Sequence, residues 1–279
     1  MNETVSAPPA RKPRPHLSVV VLRTEQLGPH MVRIVAGGPE LAKFEPKDAT
    51  DMYIKIHFLQ PGIEYAEPVD LAKLREELPR EHWPVTRTYT VRRFDAAAQE
   101  LTVDFVVHGD AGIAGPWAAS AVAGDRMIFS GPGGGYTPQA DADWHLFAGD
   151  ESALPAIAAA LESLPATARG HAFIEVDTAA DIQALAKPDG VELSWVLRKG
   201  TAPDAGNNLV DAVAKLPWPQ GQACAFVHGE REQMKALRDL LFKQRGLDRA
   251  QVSLSGYWAR GRTEDSFQAE KREPIGKIL

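Results

Sequence analysis

A change of rhythm near the middle of the chain constrains the fold more than any other feature. From residue 16 to about residue 132 the apolar residues come in short runs: "HLSVVVLR", "MVRIVAGG", "DMYIKIHFL", "TRTYTVRRF", "LTVDFVVHG" and "RMIFSGP". These are β-branched or alternating, and turn residues bound most of them. Six such runs with few helices between them predict a closed antiparallel β-barrel, which leaves no open edge. "DLAKLREELP" reads as a helix or an excursion between barrel strands. From residue 144 onward the strands "HLFAGD", "GHAFIEVD", "VELSWVLR", "CAFVHG" and "VSLSGYW" alternate with helical stretches such as "ESALPAIAAALESLP" and "REQMKALRDLLFKQRG". Alternation of that kind predicts an open parallel α/β sheet covered on both faces.

A length of 279 residues suits two domains of ordinary size. The expected division is a loose Pro-rich tail over 1–15, the barrel over 16–132, a Gly-rich joint over 133–143, and the α/β domain with a basic C-terminal extension over 144–279. No apolar run approaches the ~20 residues of a membrane span, and the opening lacks a signal-peptide core. Cys224 is the single cysteine, so no internal disulfide forms, and a reducing cytoplasm is the expected compartment. A net charge of -6 argues against broad nucleic-acid binding. No His or Cys pair has metal spacing, and no Ser or Cys is paired with a base, which excludes metal-hydrolase and nucleophilic readings. A monomer is expected.

Three stretches could hold a ligand. In "TRTYTVR" strand alternation puts Arg87, Tyr89 and Val91 on one face and Thr88, Thr90 and Arg92 on the other. A solvated strand would look this way. So would a surface that stacks a flat ring on Tyr89 and grips its phosphate with Arg87. In "VVHGDAGIAGPWAASAVAGD" a strand ends at His108, glycines follow at Gly109, Gly112 and Gly115, and a short Ala-rich helix carries Trp117. That arrangement suits a diphosphate or a plain loop. In "LFAGDESALPAI" Gly149 permits close backbone approach, Asp150 or Ser152 can cap the helix, and Pro155 sits in its first turn. The free amides there suit a pyrophosphate, although any βα turn has them. Neither G-x-G-x-x-G nor a phosphate-loop Lys-Ser/Thr is present.

Taken together, "RTYTVR", "LTVDFVVHGDAG", "WAASAVAGDRMIFSGP", "DESALPAI", "FVHGE" and "SGYWARGR", in this order, resemble the siderophore-interacting proteins. These are ferric-siderophore reductases of the ferredoxin–NADP reductase superfamily, and the likeness runs from about residue 16 to 262. The resemblance implies an FAD-binding barrel followed by a nicotinamide-nucleotide domain. It implies that Arg87 pairs with FAD phosphate, Tyr89 packs on the isoalloxazine, and Thr90 reaches its reactive nitrogen, making Tyr89 and Thr90 the catalytic pair. Strand parity does not bring Thr90 to the face of Tyr89, so its role rests on the resemblance. His108, Gly109, Gly112, Ala114 and Trp117 would line the adenine-diphosphate side; Gly149, Asp150, Ser152 and Ala153 would receive the nicotinamide. Two departures stand out: Gly112-Ile113-Ala114 replaces the family's Gly-Pro-Ala, and Pro116 replaces a polar or basic residue.

The implied reaction passes electrons from NADPH or NADH through FAD to Fe(III) in a siderophore, with ferredoxin as another possible donor. An anionic chelate needs a positive groove. Candidates are Lys55, Arg262, Lys271 and Lys277, with Arg260 and Arg272 beside them. Trp258 is expected to fill core rather than shield the flavin. Glu175 and Asp177 would repel a 2′-phosphate, Arg198 and Lys199 argue the reverse, and family habit favours NADPH. The alternatives are a general flavin or ferredoxin-type reductase and a non-catalytic carrier of iron chelates.

Overall fold

Alternating burial closes the first half of the chain on itself. The computed structural model describes residues 16–109, 112–198 and 208–279; the tail and Lys199 lie outside them. Strands β1 (His16–Gly28), β2 (Met31–Gly37), β3 (Tyr53–Phe58), β4 (Val85–Asp95), β5 (Glu100–Val106) and β6 (Arg126–Gly133) form a closed barrel in the order β1-β2-β5-β4-β3-β6. All its pairings are antiparallel. Ile34, Ile54, Ile56, Leu101, Val103, Phe105 and Phe129, none more than 1% exposed, belong to the cluster that fills it. Period-2 alternation from six strands delivers these side chains inward, and their burial is what makes closure favourable.

Two short helices complete this half. The first, α1 (Leu71–Glu77), lies between β3 and β4 and is N-capped by Asp70, which accepts from the amides of Ala72 and Lys73. Its Leu71 and Leu74 cluster with Ile128 of β6. The second, α2 (Ala114–Ser120), follows β5 and sends Ala114, Ala118 and Trp117 into the barrel cluster.

The second half is a parallel sheet of β7 (Trp144–Gly149), β8 (Gly170–Val176), β9 (Val191–Leu197), β10 (Ala223–Glu230) and β11 (Val252–Trp258), ordered β11-β10-β7-β8-β9. Helices α3 (Leu154–Ser163), α4 (Asn208–Ala214), α5 (Arg231–Asp239) and α6 (Glu264–Glu270) accompany it. Leu146, Ala148, Ala225 and Val227 pack with α4 and α5, while Phe147, Ala172, Ile174 and Phe226 pack with α3. Strands buried on both faces read as continuous apolar runs for this reason. The chain moves outward from β7 to β9 and then crosses back to β10. The order therefore reverses between β7 and β10, where open sheets of this kind take their ligands.

The halves are packed together. Met31 is buried in the α3 cluster, with Leu27 and Val106 against it. Arg92 of β4 pairs with Glu162 of α3. His30, in the turn between β1 and β2, donates its amide to Asp181 Oδ1 at 3.1 Å, and its Nδ1 lies 2.9 Å from the same oxygen. The Gly-rich joint is held by Asp51, whose Oδ1 accepts from the amides of Gly135 and Tyr136, both at 2.8 Å. Cys224 is buried, its Sγ 3.5 Å from the Tyr136 hydroxyl.

Candidate functional site

A cavity of about 540 Å³ lies between the barrel and the carboxyl edge of the sheet, with α6 along it. Barrel strands contribute Tyr53, Lys55, Thr88, Tyr89, Thr90, Asp104 and Val106, and His108 follows at the end of β5. The sheet side contributes Glu151, Ser152, Pro155, Arg198, Ser255, Tyr257 and Trp258; α6 and the residue after it contribute Glu264, Gln268 and Lys271.

Register explains the barrel wall. Lys55 pairs with Thr88, Tyr53 with Thr90, and Ile54 with Tyr89. Residues opposite one another share a face, so Tyr53, Lys55, Thr88 and Thr90 form one surface. Tyr89 packs against Phe105, ring centroids 4.3 Å apart. Both Tyr89 and Thr90 border the cavity, contrary to the simple alternation expected. Beside them β4 is irregular, its pairing with β5 shifting between Val91 and Arg93. Burial, with the Glu264 charge adding to it, raises the Tyr89 phenol above its ordinary range. Burial does the same for Tyr257, helped by Asp51 and Asp150. The cavity thus has a neutral phenol on each side.

Arg87 is not among the residues that line the cavity. Its two terminal nitrogens donate to the two oxygens of Asp265 on α6, each at 3.2 Å, and Nη1 also donates to the Thr86 carbonyl at 2.9 Å. Asp265 is exposed while Arg87 is mostly buried.

The loop after β5 divides the expected diphosphate residues. His108 is exposed and borders the main cavity, and Gly109 and Gly112 adopt φ of 53° and 84°, where a side chain would be strained. Ala114 is buried in the barrel core. Trp117 packs its ring on Phe58 and Phe105, both at 5.5 Å. With Gly112 and Ile113 it lines a second cavity, of about 480 Å³.

The βα turn after β7 also differs from the expectation. A Cβ on Gly149 would lie 2.5 Å from the His228 carbonyl oxygen, so glycine is required there by the approach of β10. Asp150 is 1% exposed. Its Oδ1 accepts from Ser152 N at 2.9 Å and Ser152 Oγ at 2.5 Å; its Oδ2 accepts from Glu230 N at 2.9 Å and Trp258 Nε1 at 2.7 Å. The carboxylate therefore braces the ends of β7, β10 and β11 together. Burial, then the Glu151 charge, raises its pKa against those donors. Ala153 is fully buried under α3. Of these four candidates only Ser152 borders the cavity. Trp258 is half-buried and faces the cavity with its indole held by Asp150, rather than filling core.

The basic candidates separate as well. Lys55 donates to Thr88 Oγ1 at 3.2 Å, and the Lys271 ammonium sits 4.5 Å from the Phe267 ring centroid; both border the cavity. Arg262 turns to Glu270 at 2.6 Å, and neither it nor Lys277 lines the cavity. Arg260 and Arg272 are exposed.

Several lining residues were not anticipated as site residues, Asp104 and Glu151 among them. Asp104 borders the cavity and is held by Arg33 through Nε at 2.7 Å and Nη2 at 2.9 Å. Glu151 takes two bonds from Arg198, at 3.0 and 2.7 Å, while Arg198 Nε donates to Glu175 at 3.0 Å. Burial works against the Arg198 charge, but Glu151 and Glu175 outweigh it and raise its pKa. Glu175 lies one residue before the end of β8 and Arg198 directly follows the adjacent β9, so the two could be paired from sequence; nothing in the sequence marks Glu151 as their partner. Among the described residues no cluster suits a metal ion, and no helix is long and apolar enough to cross a membrane.

A closed antiparallel barrel joined to a five-stranded parallel sheet, with the main cavity between them, defines a two-domain, ferredoxin-reductase-like architecture. Within it, residues 20–136 match the siderophore-interacting FAD-binding domain and residues 142–261 match the siderophore-interacting protein family, and the chain belongs to that family. It is 34% identical to the ferric vibriobactin reductase ViuB of Vibrio cholerae, over 90% of this chain and 92% of that one. It is 30% identical to an NADPH-dependent ferric-chelate reductase of Escherichia coli, over 86% and 91%. The siderophore-interacting protein SipS of Aeromonas hydrophila superposes with a TM-score of 0.80 at 31% identity, covering 95% of this chain and 99% of that one.

Proposed function

We propose that this protein is an FAD-dependent ferric-siderophore reductase, drawing electrons from a nicotinamide nucleotide and releasing iron as Fe(II). Residues 16–132 form its flavin domain and residues 144–279 its nucleotide domain. The observation that carries the reading is the cavity itself: about 540 Å³, walled by Tyr89 on the barrel side and by Tyr257 and Trp258 on the sheet side. That volume is within the range of small-molecule sites, ~300–1,000 Å³.

The residues present fit a flavin dinucleotide. Tyr89 is a flat, neutral surface for a tricyclic ring, Arg87 supplies a guanidinium for phosphate, and Gly109 and Gly112 permit a backbone turn beside His108. FAD supplies acceptance of a hydride and release of two electrons singly, which matches a one-electron acceptor such as Fe(III). One hydride thus serves two ferric ions.

The chain's own task is positioning. Tyr89 and Thr90, which both line the cavity, would hold and orient the ring from the barrel side. Ser152, just beyond the carboxyl edge of β7, would receive the nicotinamide. Lys55 and Lys271 draw an anionic chelate to the open side. Fe(II), with its lower charge density, binds hard oxygen donors more weakly than Fe(III), so reduction frees the metal.

The test is direct. Purified protein loaded with FAD is reduced anaerobically with NADH or NADPH, then mixed with a ferric siderophore and an Fe(II) trap. Trapped Fe(II) that depends on protein, flavin and nucleotide supports the reading. Protein that cannot be loaded with FAD, or loaded protein that leaves the chelate ferric, refutes it.

A further inference from the structure

The Arg87–Asp265 ion pair joins the barrel to α6 beside the main cavity, and its bearing on flavin loading rests on the proposed reductase reading. Nη1 and Nη2 of Arg87 donate to the two carboxylate oxygens of Asp265, each at 3.2 Å, and Nη1 also donates to the Thr86 carbonyl. Thr88, next to Arg87 on β4, and Glu264, next to Asp265 on α6, both line the cavity. Arg87 and Tyr89 are two positions apart on one strand, ~7 Å, and share a face. The guanidinium that suits a flavin phosphate is therefore the one that α6 already engages.

This pair differs from two other arginine–carboxylate pairs at the cavity. Asp104 and Glu151, with side chains 3% and 6% exposed, each approach their arginine to 2.7 Å. Asp265 is 78% exposed and Arg87 only 15%. Both Arg87–Asp265 bonds are also longer than the about 2.7–2.9 Å usual for charge-assisted contacts. The asymmetry decides which partner is replaceable. Asp265 regains water when it leaves, whereas a cation mostly out of water needs an anion beside it. Other contacts keep α6 in place without this pair. Glu270, at its far end, is held by Arg231 of α5, and Lys235 and Arg238 of α5 donate to the carbonyls of Ile275 and Ile278 at 2.7 and 2.8 Å.

We propose that Asp265 is a displaceable counterion that competes with the flavin phosphate for Arg87, a built-in brake on flavin loading. A phosphate taking Nη1 and Nη2 replaces Asp265 outright, and one approaching past Nε meets its negative charge. In either geometry Asp265 weakens flavin binding, while sparing Arg87 an unpaired charge until the phosphate arrives.

Fluorescence titration of the full chain, freed of flavin, with FAD and with riboflavin, which has no phosphate, tests this without turnover. Asp265→Asn binds FAD roughly two- to fivefold tighter at low salt, the range of an exposed ion pair, and the gain shrinks as salt screens both anions. Riboflavin binds the variant and the unaltered chain alike. Asp265→Glu, which restores the anion, returns FAD affinity toward that of the unaltered chain. Weaker FAD binding by Asp265→Asn overturns the inference, because Asp265 would then be orienting Arg87 for the phosphate. A gain shared in full by riboflavin, or one indifferent to salt, overturns it too. Should riboflavin bind neither protein, FAD and its salt dependence decide. If FAD binds both proteins equally, the competition falls and the reductase reading stands; if neither takes up FAD, both fall.

Discussion

Lowering the pH from about 8 to about 5 should cost this protein on the order of 4 kcal/mol of stability through two buried histidines, His57 and His228. His57 is 5% exposed, with Nδ1 2.9 Å from Thr86 Oγ1 and Nε2 2.9 Å from Ser130 Oγ. Burial, then the positive charges of Arg75, His16 and Lys55, pushes its pKa down to about 4. His228 is 4% exposed, stacked on Phe226 at 3.8 Å, and burial pushes it down to about 3. An unfolded histidine titrates near its ordinary ~6.5. Between the folded and unfolded values the unfolded chain binds more protons, so the stabilisation is complete above about pH 6.5 and declines as pH falls. At about pH 5 each group has lost roughly 2 kcal/mol relative to pH 8. The assay is urea unfolding at both pH values for the unaltered chain and for His57→Gln, which keeps hydrogen-bonding capacity without a titrating ring. All other groups cancel in the double difference. The substitution should remove about 2 kcal/mol of the pH-dependent loss, whatever it does at pH 8. A double difference below about 0.5 kcal/mol would show that water or a structural adjustment solvates the imidazolium, and the argument from burial would be wrong.

Three further outcomes follow from the geometry. Gly149→Ala should destabilise by about 1–3 kcal/mol in chemical denaturation, because its Cβ would meet the His228 carbonyl oxygen at 2.5 Å; an unchanged midpoint would mean β10 gives way freely. Tyr89→Ala should weaken FAD retention by roughly tenfold or more, measured by fluorescence on dilution, while leaving the barrel folded; full retention would place the ring elsewhere. Charge reversal at Lys55 and Lys271 together should raise KM for an anionic ferric chelate several-fold at low salt with little change in flavin reduction, and the effect should fade at high salt. A salt-independent KM would remove both lysines from the substrate path.

Much of this protein is legible in residue order alone. Six alternating runs in the first half and strand–helix alternation in the second follow from local periodicity, because side-chain direction repeats every two residues in a strand and every 3.6 in a helix. The same reading put Arg87 and Tyr89 together, and register places them on adjacent positions of one strand face with Ile54 and Ile56 opposite. What residue order could not supply was the pairing of groups far apart in the chain. Asp265 reaches Arg87 across 178 positions, and Trp258 reaches Asp150 across 108. Asp150 and Ala153 sit in a turn that could equally face a ligand; only the approach of β10 and β11 turns them inward, and leaves Ser152 and Glu151 on the cavity. Lys55 and Lys271 both line it while Arg262, drawn to Glu270, and Lys277 do not. Local order sets which element forms and which face is apolar; the cavity, its charge balance and its buried pairs depend on how two independently patterned halves pack together, and no short window of sequence contains that information.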